Sequence, residues 1–180
     1  MQFNFERTIQ ASVVLLQAAQ GHRMSFMRLL KLLYMADREM LKQTGSPITF
    51  DRVVAMKHGP VLSETYNLIK GEHVQAATWN KYIEKQSYHL VSTEEDPGRD
   101  KLSRMAVALL NQVSEQYDHL ADWDLVNHLH VILPEWNGNW PGEGSNTSVP
   151  VSLEDILQAL EFEPNDVKEI ASELRENRAG

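Results

Sequence analysis

Asp37 is the residue of this 180-residue sequence whose surroundings point most directly to chemistry. It lies in the run from Lys31 to Lys42, whose apolar residues recur at helical spacing. On a wheel of about 100° per residue, the apolar residues that share its face are Leu33, Tyr34 and Leu41. Because burying an unpaired carboxylate costs several kcal/mol, Asp37 must accept hydrogen bonds from a neighbouring segment.

Two roles follow for such a carboxylate. It could be a general base with a shifted pKa, or an acceptor that clamps the following extended segment against the helix. The nearest donors in the sequence are Arg52, Lys57, His58 and the amides of the turn at Gly59. Since no second catalytic group stands at a recognisable spacing, we favour the clamp. The alternative is an uncharacterised hydrolase or metal-dependent enzyme that uses Asp37, His58 and His130.

The usual catalytic and cofactor motifs are missing from the sequence. There is no glycine-rich phosphate loop, no GxGxxG pattern and no glycine-flanked nucleophilic serine. His128 and His130 are two residues apart, so on a helix their side chains diverge by about 200° and cannot chelate one ion. We therefore expect no enzyme activity, no cofactor and no metal, and interpret His130 as a capping or buried hydrogen-bonding group.

A second pattern on the same helix is a basic stripe. Its members fall within about 80° of one another on the wheel, and they are Arg28, Lys31, Arg38 and Lys42. A solvated helix face is one interpretation and a partner-binding surface is the other. Nucleic acid is not expected as the partner, because the stripe lacks interleaved aromatic residues and the chain has a net charge of −8.

The elements that must position these residues are mostly helical. Turn and capping signals predict a fold of the mainly α class, a single-domain bundle of about six to seven helices with a small antiparallel β-hairpin and a short extended segment. The predicted helices cover 5–19, 25–42, the segment from Pro60 to Gly71, a segment capped by Ser103, one from Asp122 to Pro134, and a C-terminal pair over 152–177 capped by Ser152 and Asn165. The hairpin is predicted around Gln86-Ser87, the extended segment over 53–55, and a flexible loop over 137–148.

Composition sets the class of protein. With 42% hydrophobic and 23% charged residues, the chain is typical of a globular protein with one core. The chain has no cysteine, which fits a reducing compartment, and Glu6 and Arg7 interrupt the segment where an export signal would need an apolar run. No apolar run approaches the roughly 20 residues that span a bilayer. These features predict a cytoplasmic protein without a membrane segment.

One segment also carries a family resemblance. The run from Lys31 to Gly71, KLLYMADREMLKQTGSPITFDRVVAMKHGPVLSETYNLIKG, resembles the core of the Panacea domain, which occurs in SocA-type antitoxins of bacterial toxin-antitoxin pairs and in phage-associated proteins. The similarity extends over about 24–136 and includes Pro134-Glu135-Trp136. Its motif positions in this chain are Tyr34, Asp37, Arg38, Asp51, Arg52, Lys57, His58, Gly59, Pro60, Val61, His130 and Trp136.

The resemblance implies a function as well as a fold. It implies a mainly helical domain without enzymatic activity that neutralises a toxin protein encoded beside it, in most members by direct binding. The SocA type instead delivers its toxin to a ClpXP protease, which is the alternative mechanism. The tail after Asn137 departs from the family pattern, and the toxins paired with this domain are unrelated to one another. The sequence therefore leaves the toxin, its contact surface and the oligomeric state open.

Overall fold

The computed structural model describes residues 2–140, 142, 144 and 147–176, and it is mainly α with small β elements, as predicted. Nine α-helices lie in these residues, rather than six to seven. They are α1 (Phe5–Ala18), α2 (Phe26–Thr44), α3 (Ser63–Lys70), α4 (Ala76–Tyr82), α5 (Arg104–Tyr117), α6 (Asp122–Ile132), α7 (Pro134–Asn139), α8 (Leu153–Ala159) and α9 (Pro164–Glu176). The strands are β1 (Arg23–Ser25), β2 (Val53–Met56), β3 (Gly59–Leu62), β4 (Ile83–Gln86), β5 (His89–Ser92) and β6 (Val149–Pro150).

Helix α2 is the central element. The Ser25 hydroxyl accepts a hydrogen bond from the backbone N–H of Arg28, and Gly45 ends the helix in the left-handed conformation, so both ends follow local signals. Helices α1, α5 and α6 and strand β3 all pack against α2. Because neighbours surround it, α2 buries more than one face, including Lys31 and Asp37.

Two antiparallel three-stranded sheets flank this helix, with strand orders β1-β5-β4 and β3-β2-β6. The predicted hairpin is present as β4 and β5. Its register pairs Gln86 with His89, so the turn is Ser87-Tyr88, one residue later than predicted. Ser87 adopts a positive φ of 59°, which supplies the left-handed residue that a two-residue hairpin turn needs.

Several element boundaries differ from prediction. Pro60 does not lead directly into a helix, because it lies in β3 and α3 begins only at Ser63. Ala121 occupies the N-cap position of α6 without a side-chain hydrogen bond, so the predicted cap, Asp122, is instead the first residue of the helix. Asn165 lies inside the first turn of α9, which begins at Pro164. The short helices α4 and α7 were missed, because each has only one or two turns and little periodicity to detect.

The C-terminal part packs onto the same core as the rest. One cluster of buried apolar side chains extends from Ile9 in α1 to Leu174 in α9. Strand β6 pairs with β2, although the two are about a hundred residues apart. Of the loop predicted over 137–148, residues 137–139 belong to α7, while 141, 143, 145 and 146 lie outside the described residues. Residue 177 of the predicted final helix also lies outside them.

Candidate functional site

The Asp37 carboxylate is buried in α2 and faces the segment that precedes β2. Its Oδ1 accepts hydrogen bonds from the backbone N–H groups of Ile48 and Thr49, each at 2.9 Å, and its Oδ2 accepts from the Thr49 hydroxyl. Burial raises the pKa of Asp37 to about 7, although these three donors oppose that change. The carboxylate thus joins the middle of α2 to a segment eleven and twelve residues further along.

The prediction of the Asp37 donors was wrong. None of Arg52, Lys57, His58 or the amides at Gly59 donates to it; the donors are two backbone amides and a threonine hydroxyl. Arg52 is exposed and pairs with Glu64 instead. The backbone amides are closer because the chain passes Asp37 immediately after Pro47, before it reaches β2.

Asp51 repeats this arrangement at the start of α3. Its Oδ2 accepts from the backbone N–H of Thr65 at 2.8 Å and from the Thr65 hydroxyl at 2.7 Å, and its Oδ1 accepts from the N–H of Glu64 at 2.9 Å. Burial raises the pKa of Asp51 as well. Since the Thr49 hydroxyl also accepts from the Asp51 N–H, the two aspartates form one connected network. Thr49 and Thr65 were missed, although a buried carboxylate signals that nearby donors must exist.

A second buried polar group joins α2 to α7. Glu135 accepts from the Tyr34 hydroxyl and from Arg38 Nε, both at 2.7 Å, and its side chain is fully buried. Arg38 Nη2 reaches on to the backbone oxygen of Ala159 in α8, at 3.4 Å. The predicted motif included Tyr34 and Arg38, but it did not assign Glu135 this role. Its partners lie about a hundred residues earlier, so no local pattern reveals them.

The turn between β2 and β3 rests on Lys31. The Lys31 side chain is buried, and its Nζ donates to the backbone oxygen of Pro60 at 2.8 Å. Gly59 has a φ of +103°, and a Cβ there would lie 3.1 Å from Lys31 Nζ. Burial lowers the pKa of Lys31 to about 7. The glycine therefore allows the backbone both to turn and to approach the ammonium group.

Two aromatic contacts hold the other side of this turn. The His130 ring stacks on Trp136 with centroids 3.9 Å apart, and Trp136 Nε1 donates to the Met56 backbone oxygen at 2.9 Å. The buried His130 Nε2 has no hydrogen-bond partner among the described residues, and burial lowers the His130 pKa. His58, exposed in the turn, meets Trp123 edge to face at 5.0 Å. Burial also lowers the His58 pKa, with neighbouring lysines adding to the effect.

The predicted basic stripe is not an exposed surface. Lys31 is buried, and Arg28 donates to the backbone oxygens of Tyr117 and Leu120 and pairs with Asp122. The remaining two members are Arg38, which is engaged with Glu135, and Lys42, which is exposed. The helical wheel gave the direction of each of these side chains around α2. It could not show that other elements of the fold pack against most of those side chains.

An apolar cavity of about 360 Å³ opens beside the Lys31 turn. The N-terminal end of α2, the β2–β3 turn and the first turn of α6 contribute to it. Its lining residues are Phe26, Met27, Leu30, Lys31, Met56, Lys57, His58, Val61, Tyr66, Tyr88 and Trp123. Three residues of the predicted motif, Lys57, His58 and Val61, therefore lie together at this cavity. The aromatic lining residues were missed because they come from four separate segments.

Of the three residues proposed for an enzyme site, His58 and His130 both lie at the β2–β3 turn, but Asp37 is not brought together with them. Asp37 lines a different and much smaller cavity, of about 20 Å³, than the one that His58 lines. Asp37 is also occupied by its backbone donors. Among the described residues, no group of three or more histidine, aspartate or glutamate side chains could hold a metal ion. No helix in this part of the chain is long and apolar enough to cross a bilayer.

These features describe a mainly α scaffold in which the buried charged groups hold backbone segments in place. The chain belongs to the family described as antitoxin SocA-like, Panacea domain, whose model matches residues 29–137. That range holds the Asp37–Asp51 network, Glu135 and the Lys31 turn, and it confirms the resemblance. No curated protein and no solved structure matches the chain significantly. Membership in an antitoxin family points to a toxin as the kind of partner and to a role other than catalysis.

Proposed function

We propose that this chain is a cytoplasmic antitoxin that neutralises a cognate toxin protein by binding it directly. The observation that carries the proposal is the family match over residues 29–137. The site supports it, because the buried charged residues within the matched range bond to this protein's own backbone and side chains. Such groups stabilise a scaffold, and a scaffold with exposed loops is suited to protein recognition.

The test is co-expression with the toxin encoded by the neighbouring gene. We expect inducible toxin alone to arrest growth, and the chain to restore growth and to co-purify with the toxin in a stable complex. A frameshifted copy of the antitoxin gene controls for effects of the added DNA. Absence of both rescue and co-purification would refute the proposal.

Delivery of the toxin to a ClpXP protease is the other mechanism that the family allows. The two mechanisms differ in the fate of the toxin, so its half-life should be followed in hosts with and without ClpXP. Direct neutralisation predicts rescue in both hosts, with intact toxin in the complex. If rescue requires ClpXP and the toxin disappears, the mechanism is delivery to the protease and not neutralisation by direct binding.

A further inference from the structure

The apolar cavity beside the Lys31 turn has a buried floor and an exposed rim. Met27, Leu30, Lys31 and Val61 are all less than a tenth exposed and form the floor. Trp123 on the rim is 56% exposed. Apolar surface is thus left uncovered next to a preformed cavity of about 360 Å³, a size within the range of binding pockets.

Aromatic rings dominate the rim, and they are held in place by one another. Phe26 meets Tyr88 edge to face at 4.6 Å and stacks with Tyr66 at 6.2 Å. On the other side, Trp123 packs against His58. Tyrosine and tryptophan are the residues that most often carry the binding energy of protein interfaces, because they bury much area and lose little side-chain freedom.

The charges around this cavity are positive, although the chain as a whole carries −8. Its lining residues include the exposed Lys57 and no aspartate or glutamate, while Lys31, which also lines it, is buried and donates to the backbone oxygen of Pro60. Lys85 lies 5.7 Å from the Phe26 ring centroid, and Lys70 lies 5.0 Å from that of Tyr66. Two neighbouring carboxylates are paired, Asp122 with Arg28 and Glu72 with Lys70, which leaves Lys57 and Lys85 as the exposed lysines beside the cavity. An occupant with negative charge beside an apolar group would complement this surface.

We propose that this cavity receives a large apolar side chain of the cognate toxin, from a segment that also carries carboxylates facing Lys57 and Lys85. The inference rests on the proposed antitoxin function and adds the place and the chemistry of the contact. The apolar side chain would cover the aromatic rim, and the carboxylates would pair with the lysines above it.

The test compares exposed apolar residues inside and outside the cavity. Trp123→Ala removes the most exposed ring of the rim, and Tyr88→Ala, at a residue 40% exposed, is the second variant. The matched controls are Val131→Ala, on the same helix as Trp123 and 82% exposed, and Met105→Ala, 40% exposed on α5; neither residue lines the cavity. Circular dichroism melts establish that each variant used is folded.

Binding is measured by titration calorimetry with the purified protein encoded by the neighbouring toxin gene. We expect Trp123→Ala and Tyr88→Ala each to raise the dissociation constant by about 30-fold or more. The control variants should change it by less than about threefold. In stopped-flow binding experiments, Lys57→Glu should slow association and reduce the dependence of the association rate on salt. If the wild-type chain binds the toxin and the folded Trp123→Ala and Tyr88→Ala variants bind it with the same affinity, the proposed site is wrong. The antitoxin function would not be affected by that result.

Two further outcomes are distinguishable. If the wild-type chain itself does not bind or neutralise the toxin, the antitoxin proposal fails, and this site with it. If light scattering shows that the free chain is a dimer and that Trp123→Ala makes it a monomer, a second copy is the occupant. That result would also overturn the proposal.

Discussion

Asp37 and Asp51 show the same use of a buried carboxylate. Each accepts two consecutive backbone N–H groups and the hydroxyl of a threonine, Thr49 for the first and Thr65 for the second. This geometry satisfies donors that would otherwise be buried without partners. The two aspartates therefore hold the chain between α2 and α3 in one path.

Replacing Asp37 tests this role directly. Asp37→Ala leaves three buried donors without their acceptor, so we expect the free energy of unfolding to fall by about 3 kcal/mol or more. Urea unfolding followed by circular dichroism measures the change. Asp118→Ala, at an exposed aspartate, is the control and should stay within about 0.5 kcal/mol of the parent. A stable but inactive Asp37 variant would instead indicate a direct functional role.

Lys31 predicts a pH dependence of stability. Its pKa is about 7 in the folded chain and 10.5 when exposed, so between these values the unfolded chain binds one more proton than the folded chain. The free energy of unfolding should therefore rise with pH from about 7 towards 10, by up to about 1.4 kcal/mol per pH unit. Below pH 7 both states are protonated, and this contribution is flat.

Lys31→Met isolates that contribution, because methionine fills similar space and does not titrate. We expect the variant to lose most of the rise between pH 7 and 9.5 in urea unfolding experiments. Lys42→Met, at an exposed lysine, should keep the slope of the parent. Equal slopes for the parent and Lys31→Met would show that Lys31 titrates near its ordinary pKa.

The turn joining β2 and β3 is the element on which several motif residues converge. Lys31 supports it from α2, Trp136 bonds to its Met56 oxygen, and His130 lies against Gly59. Lys31, His130 and Trp136 are far apart in sequence, but all three contact this one connection. Its exposed side chains, Lys57 and His58, line the apolar cavity, so the stability of the turn and the shape of the cavity are coupled.

Gly59→Ala tests how tightly this turn is packed. Gly71→Ala is the matched control, because both glycines have positive φ but only at Gly59 would an added Cβ have other atoms within 4 Å. We expect Gly71→Ala to cost about 1 to 2 kcal/mol for the left-handed backbone. Gly59→Ala should cost at least about 1 kcal/mol more, since the Lys31 side chain must shift. Equal melting temperatures for the two variants would contradict close packing at the turn.

Across the whole molecule, Glu135 connects parts that are distant in sequence. It bonds to Tyr34 and Arg38 of α2, and Arg38 continues to the backbone of Ala159 in α8. The C-terminal helices also share the main core through residues such as Leu157 and Leu174. The segment beyond the family match is thus packed onto it rather than attached as a separate tail.

Glu135→Ala should destabilise the molecule strongly. It leaves the largely buried Arg38 guanidinium without its partner charge and the buried Tyr34 hydroxyl without its acceptor, a loss we expect to be about 3 to 5 kcal/mol. Glu154→Ala, which breaks the more exposed pair with Arg175, should cost less than about 1 kcal/mol. Chemical denaturation compares the two variants. Similar losses would show that the buried network contributes no more than a surface ion pair.

Local signals in the sequence were sufficient for much of the fold. Apolar periodicity and the residues Ser25 and Gly45 defined α2, and Ser103 and Ser152 capped the helices predicted to follow them. These features depend on residues within a few positions of one another. The need of Asp37 for donors was also evident, since a carboxylate on an apolar helix face must be satisfied.

Only the tertiary structure decided which groups meet. The donors to Asp37, the partners of Glu135 and the pairing of β6 with β2 depend on how separate segments are packed. A helical wheel gives the direction of Lys31 around α2, but not whether another element covers that direction. Burial of Lys31 and the aromatic cavity beside it arise from long-range packing, and the periodicity of a single segment contains no information about its neighbours.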